Sequence, residues 1–220
     1  ETPIKYDVMD GFSPNLNKHL HIGHLSNLVI AKAFVSLGIA RGTTAIYGDT
    51  LTGAVSQVDA ELKLDQWMDW AGYRITEDTF YASDMSYNGP LLVDGTGKYE
   101  GTKGFNIGDE YVVGIKSDGS TSYFYQDVCL ADGHFGYTKL YLTGSEQSQH
   151  FSKLSKLYPE GQVTHVPLGL VTAKGKKMSS RDGKVIMGQE VYDLLVEEFP
   201  NPQLAYNVFA GFILNSTPKS

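Results

Sequence analysis

The sequence predicts an α/β chain organised around a parallel sheet, and three observations carry that expectation. Residues 4–47 read as strand, glycine-containing loop, helix and strand, the unit that sets two strands side by side in parallel. Lys139–Thr143 and Val163–Val171 are further apolar runs of strand length, the first running into a helix that starts near Ser145. The chain has 220 residues, 41% hydrophobic and 20% charged, which suits one sizeable core with an inserted or appended part and excludes a disordered chain.

Each element follows from its pattern. Ile4, Tyr6 and Val8 alternate with Lys5 and Asp7, a short strand. Gly11 to Asn17 is a loop, with Ser13-Pro14-Asn15 as its turn. Ile22, Leu25, Val29, Ala33 and Leu37 recur at spacings of three and four, one face of a helix that Gly38 ends. Thr43 to Tyr47 is the next strand, closed by Gly48-Asp49. Ser56, with Asp59 three residues on, reads as a capping box for a helix that runs to about Trp70 and stops at Gly72.

Residues 85–108 are glycine-rich and predict an irregular insertion, within an interruption at about 76–112. Tyr111–Lys116 and Thr121–Tyr125, around Ser117-Asp118-Gly119-Ser120, predict a hairpin. Residues 173–184 form a basic, glycine-bearing loop, and Gln189–Phe199 and Gln203–Leu214 two closing helices. The pairs Trp67/Trp70 and Phe209/Phe212 are expected on core-facing helix stripes.

Net charge is −7, which argues against a general nucleic-acid coat. The distribution is uneven: residues 139–184 alone carry 8 basic and 3 acidic groups, a segment suited to an anionic partner. No apolar stretch is long enough for a membrane-spanning helix. The start has no leader-like pattern and no initiator Met, so a processed or trimmed piece is expected. The single cysteine, Cys129, excludes an intrachain disulfide and reads as a small core residue. A cytoplasmic, monomeric protein without a membrane partner is the expectation.

Chemistry concentrates at the first strand–helix junction. A helix N-terminus offers unpaired N–H groups and partial positive charge, which suit a phosphate. His21 and His24 share one side of the first turn, Lys18 lies just ahead, and Gly23 lets a ligand come close to the backbone. The plainer alternative is a pair of capping histidines.

These residues carry a resemblance. His21-Ile22-Gly23-His24 resembles the first signature of class I aminoacyl-tRNA synthetases, and Lys177-Met178-Ser179-Ser180-Arg181, in the basic segment, resembles the second. Within that class the chain is most similar to arginyl-tRNA synthetases. It shares Ser13-Pro14-Asn15 and Lys18 ahead of the histidines, then Lys116-Ser117-Asp118-Gly119 with Thr121, Tyr123 and Asp127. Glutamyl-tRNA synthetases share parts of the pattern. The similarity covers most of residues 4–215 and is weakest over 50–108.

The resemblance implies a Rossmann-like, HUP-type parallel sheet flanked by helices, with a small glycine-rich insertion and a short C-terminal helical tail. Residues 1–185 would be the nucleotide-binding catalytic domain. Residues 186–220 would be a tail where an absent anticodon-binding domain would begin. The implied reaction joins an amino acid, arginine by this likeness, to ATP as an aminoacyl-adenylate, with Mg²⁺, then passes it to a tRNA 3′ end. Binding of tRNA is expected to be weak without the further domain.

The resemblance also assigns roles. His21 and His24 would stabilise the reacting phosphate, and Lys177 the departing pyrophosphate. Ser180 departs from the pattern by replacing a lysine, and Arg181 or Lys18 would supply the missing cation. Gly23, Met178, Ser179 and Ser180 would also contact ATP. Ser13, Asn15, Tyr123, Asp127 and Gln147 would hold the amino acid, Asp127 as acceptor for a guanidinium. No metal-ligating set of the protein's own is expected.

Several readings stay open. Tyr123 is equally a buried strand tyrosine, and Asp127 a helix N-cap. Asp49 is a turn residue or a ribose contact, and His150 and His165 read as packing or surface residues. At the level of function, the alternatives are a stand-alone paralogue with a non-tRNA acceptor and a non-catalytic ATP-binding module.

Overall fold

A computed structural model of the chain describes residues 5–49, 56–169, 172, 173, 176, 177 and 185–216. Its centre is a five-stranded parallel sheet in the order β3-β2-β1-β7-β8. The strands are β1 (Tyr6–Asp10), β2 (Ala40–Tyr47), β3 (Thr79–Tyr81), β7 (Lys139–Gly144) and β8 (Val163–Leu168). From β1 the chain first builds outward through β2 and β3, then returns to place β7 on the other side. The order therefore reverses between β1 and β7, and a crevice opens at their carboxyl ends.

Apolar side chains cover both faces. On one, α1 (Ile22–Ser36), α2 (Gln57–Ala71), α5 (Gly188–Glu198) and α6 (Pro202–Asn215) contribute to a core around Met9, Leu25, Leu28, Trp67 and Leu140. On the other, α3 (Tyr123–Gly133) and α4 (Ser148–Ser155) pack Val128, Leu130, Phe151 and Leu154 around Tyr141. Alternation along the strands feeds both: Leu140 and Leu142 enter the first core and Tyr141 the second.

The expected N-cap and glycine stop of α2 are present. The Ser56 hydroxyl accepts from Asp59 N at the start of α2, and Gly72 ends it with φ +65. Asn201 caps α6 by accepting from the amides of Gln203 and Leu204. Leu37 follows α1 as its C-cap and is 64% exposed, so the apolar stripe of that helix stops one turn early.

Three expectations are corrected. Residues 85–108 are irregular only in part. They hold β4 (Val93–Asp94) and β5 (Lys103–Ile107), which join β6 (Glu110–Ile115) in an antiparallel sheet. A glycine is needed inside it, because a Cβ at Gly104 would press on the Val112 carbonyl. The expected second arm, Thr121–Tyr125, is a single bridge from Thr121 to Ile115 followed by α3. Ser122 accepts from Tyr125 N, and Phe124, Tyr125 and Val128 bury at helical spacing, which overrides the strand preference of three aromatic-rich residues. Phe212 is 66% exposed on α6, whereas Trp67, Trp70 and Phe209 are buried as expected.

Cys129 is half-buried against the second core, and burial pushes its thiol up to about 11. It is a packing residue, with too little thiolate for a nucleophile. None of the described helices is long and apolar enough to cross a membrane.

Candidate functional site

A cleft of about 1100 Å³ lies over the carboxyl ends of β1 and β7, where the reversal of strand order leaves room for a ligand. Ser13, Asn15, Lys18, His21, His24, Tyr123, Asp127 and Gln147 all line it. They come from the β1–α1 loop, α1, α3 and the turn after β7. Lys177 is described only as backbone, in the short antiparallel pair β9 (Thr172–Ala173) and β10 (Lys176–Lys177). Met178, Ser179, Ser180 and Arg181 lie outside the described residues.

At the mouth of α1 the two histidines cap the helix. His21 Nδ1 accepts from Gly23 N at 3.0 Å, and His24 Nδ1 accepts from His21 N at 3.0 Å. The rings lie 4.0 Å apart. Burial, then the neighbouring His21 and Lys18, push His24 down to about 3, and burial lowers His21 as well. Both imidazoles are therefore neutral near pH 7. Since each Nδ1 spends its lone pair on an amide, each proton must sit on Nε2. Capping and ligand binding are thus compatible: the helix fixes the tautomer, and that leaves two neutral N–H donors.

Gly23 serves a different purpose from the expected one. It does not line the cleft; a Cβ there would lie 2.7 Å from His21 Cε1, so the glycine clears the capping ring. Gly48 does the same for Asn15, whose Oδ1 would be 2.8 Å from a Cβ at 48. Asn15 bridges to Gly48 and its Nδ2 donates to Tyr123 Oη at 3.4 Å. Tyr123 opens α3 and is 64% exposed, so it is not a buried strand tyrosine.

Asp127 lies within α3, one turn beyond Tyr123. It is not an N-cap; Ser122 fills that place. Its Oδ2 meets His150 Nε2 at 2.5 Å, with both side chains largely buried. His150 also lies edge-on to Phe124 at 5.2 Å. It therefore belongs to the cleft lining, which its sequence context did not reveal. His165 stacks on Phe151 and pairs with Thr143, a packing role.

Asp10 was also missed. It ends β1 with 6% exposure and lines the same cleft. Ser13 Oγ donates to its Oδ1 at 2.5 Å and accepts from Ile46 N, tying the loop to β2. Burial, reinforced by Asp127 and opposed by the Ser13 bond, raises Asp10 to about 7. An acidic residue closing the first parallel strand beside the switch point was the available signal. Asp49 instead accepts from the amide and hydroxyl of Ser83 and does not line the cleft, which favours the turn reading.

The far wall is anchored on α1 itself. Ile22 N donates to Ile186 O, Gly188 N donates to Leu20 O, and His21 bridges to Met187. Trp67 Nε1 donates to Gln189 Oε1 at 3.1 Å. The chain leaving residues 178–184 is thus fastened beside the histidines, and Val185 and Met187 line the cleft.

No protein-family model matches the chain. Curated relatives do match in part. Arginine--tRNA ligase of Latilactobacillus sakei is 36% identical over 105 residues, 40% of this chain and 19% of the relative. Arginine--tRNA ligase of Streptococcus pneumoniae is 42% identical over 82 residues, 33% of this chain and 15% of the relative. Over the matched part, this chain is homologous to arginyl-tRNA synthetases. The matched part spans about a fifth of those relatives.

Solved structures agree on the fold. Thermus thermophilus arginyl-tRNA synthetase superposes with a TM-score of 0.56 at 15% identity, covering 93% of this chain and 56% of that one. A glutamate tRNA ligase from Elizabethkingia meningosepticum gives 0.53 at 14% identity, covering 81% of this chain and 52% of that one. The five-stranded parallel sheet matches the Rossmann-like fold of these class I synthetases.

Proposed function

We propose that this chain activates arginine with ATP, giving arginyl-adenylate and pyrophosphate, and that a tRNA 3′ end is the acceptor. One observation carries the reading: a pair of neutral imidazole donors and a pair of carboxylates, Asp10 and Asp127, line one cleft at the switch point. The first pair suits a phosphate and the second a cation. Glutamate, the substrate named for one structural neighbour, would meet Asp127 and Asp10, neither of which offers it a positive charge, so charge favours arginine.

In the proposed step, the arginine carboxylate attacks the α-phosphorus of ATP and the bond to the bridging oxygen breaks, releasing pyrophosphate. His21 and His24 would donate Nε2–H to non-bridging oxygens as charge builds there. Their neutrality matters, because the donors gain strength from the transition state without competing protons. Lys18, exposed on the cleft rim, would balance charge, with Lys177 and Arg181 as further cations and Met178, Ser179 and Ser180 as ATP contacts. Asn15 and Gln147 would hold the amino-acid backbone. Ser13 would act on Asp10, and Tyr123 on Asn15, through the bonds described.

Among the described residues no group of three His, Cys, Asp or Glu could hold a metal ion. Mg²⁺ would bind through the triphosphate oxygens, where it neutralises phosphate charge.

The test is amino-acid-dependent ATP–pyrophosphate exchange with each of the twenty amino acids, with and without total tRNA. Exchange with arginine supports the reading. Exchange with another amino acid keeps the chemistry and removes the Asp10–Asp127 assignment. ATP binding without exchange in either arm leaves a nucleotide-binding module. Exchange with arginine that no tRNA can accept points to a different acceptor.

A further inference from the structure

Asp10 is a buried acid that has no countercharge among the described residues. Among the described residues no lysine, arginine or histidine forms an ion pair with it, and its recorded side-chain partner is the Ser13 hydroxyl. The groups around it are of the wrong kind to neutralise it: Tyr47, Tyr73 and Tyr141 from the surrounding core, and Asp127 from α3. A buried anion in such a place is costly until it gains a proton or a cation.

Asp127 sharpens the conflict, since two carboxylates facing one site do not both ionise readily. The two are not equivalent. Asp127 has an imidazole nitrogen of His150 at 2.5 Å, which can donate to a carboxylate. Asp10 has, among the described residues, the Ser13 hydroxyl. The less supported carboxylate is the one that should hold the proton, and burial does push Asp10 up to about 7.

We propose that the empty cleft keeps one proton on Asp10, and that a guanidinium or similar cationic side chain takes its place and drives it into solvent. The proton passes from an Asp10 carboxyl oxygen to buffer, and the carboxylate left behind pairs with the incoming cation. Substrate recognition and deprotonation become one event. Selectivity follows, because a neutral side chain of the same shape would have to share the pocket with either a proton or an unpaired charge. The inference rests on the reading of this cleft as a cation site.

The experiment is isothermal titration of L-arginine into the intact chain in pairs of buffers that take up protons with different heats, PIPES and ACES near pH 6 and Tricine and Tris near pH 8.5. The difference counts the protons released. About one proton is expected near pH 6, falling towards none near pH 8.5, where Asp10 is already ionised. His150→Asn, which keeps a donor towards Asp127 but has no imidazole, should leave the count unchanged. Carboxyl carbon NMR of the ligand-free chain should show one aspartate titrating near neutrality, with its resonance missing from Asp10→Asn.

Arginine binding with no proton release near pH 6 overturns the inference alone. So does a count that disappears in His150→Asn, which would make the histidine the source. Failure of arginine to bind at either pH overturns the cation reading, and the inference with it.

Discussion

Gly188→Ala is the sharpest test of how the cleft is built. Gly188 starts α5 and its φ is not positive, so any effect is steric. A Cβ there would lie within van der Waals radius of Trp67 Cη2, 2.9 Å from Trp67 Cζ2 and 3.2 Å from His21 O. Trp67 is fully buried and cannot swing away, and its indole is held by Gln189. The methyl group therefore has to push α5 off α1 and α2. Overpacking of this kind costs about 1–3 kcal/mol. The displaced segment includes Met187, which bridges to His21, so the phosphate end should loosen too. Urea denaturation followed by tryptophan fluorescence reads the stability, and ATP–pyrophosphate exchange reads the site. Gly38→Ala is the control: its φ is +66 with nothing near the added carbon, so about 1 kcal/mol of backbone strain is expected with no loss of exchange. A Gly188→Ala chain as stable and as active as the parent would refute the anchoring argument.

Other outcomes follow from the same geometry. Asp10 has a folded pKa of about 7 against 3.8 for the free side chain, so its contribution to stability is intact below about pH 4 and lost as pH rises towards 7, about 4 kcal/mol in all. Asp10→Asn should flatten that pH profile in urea melts, and an unchanged profile would remove the raised carboxyl. His24→Ala should lower exchange by about two orders of magnitude or more, and about 1 kcal/mol of stability should go with it because His24 also caps the His21 amide. Asp127→Ala should raise the KM for arginine far more than that for ATP; equal changes would sink the substrate role. Asn201→Ala should cost about 1 kcal/mol in thermal melts with exchange unaltered, since its side chain caps α6.

The parallel sheet was legible because its signals are local. Alternation in β1, helical spacing in α1 and the glycine after α2 each declare themselves within a few residues, and the strand–helix–strand rule supplies the rest. The histidine end of the cleft was legible for the same reason, since His21, His24 and Lys18 fall within one turn of a single helix end. Asp10 and His150 were less so: Asp10 offers only its place at the end of β1, and nothing near either residue reveals its partner. Asp10 becomes unusual only when α3 brings Asp127 across, and His150 only when α4 docks beside it. The hairpin error has a related cause: Thr121–Tyr125 has the composition of a strand, but Ser122 as a cap and the buried face beyond it decide for helix. Gly23 and Gly48 carry a further lesson, since each clears a neighbouring side chain and the need for space shows only in three dimensions.

The bridge from His21 to Met187 also has a consequence for biosynthesis. The imidazole pair leaves the ribosome well before the segment that walls it, since Met187 follows His21 by 166 residues (187 − 21). Trp67 and its partner Gln189 are 122 residues apart, and Asn15 and Tyr123 108 apart. Closures over such separations form late, after local helices and hairpins. A nascent chain halted before α5 would carry the histidines on an unfinished rim. Assembly order itself thus leaves the pocket without this wall until α5 has been made.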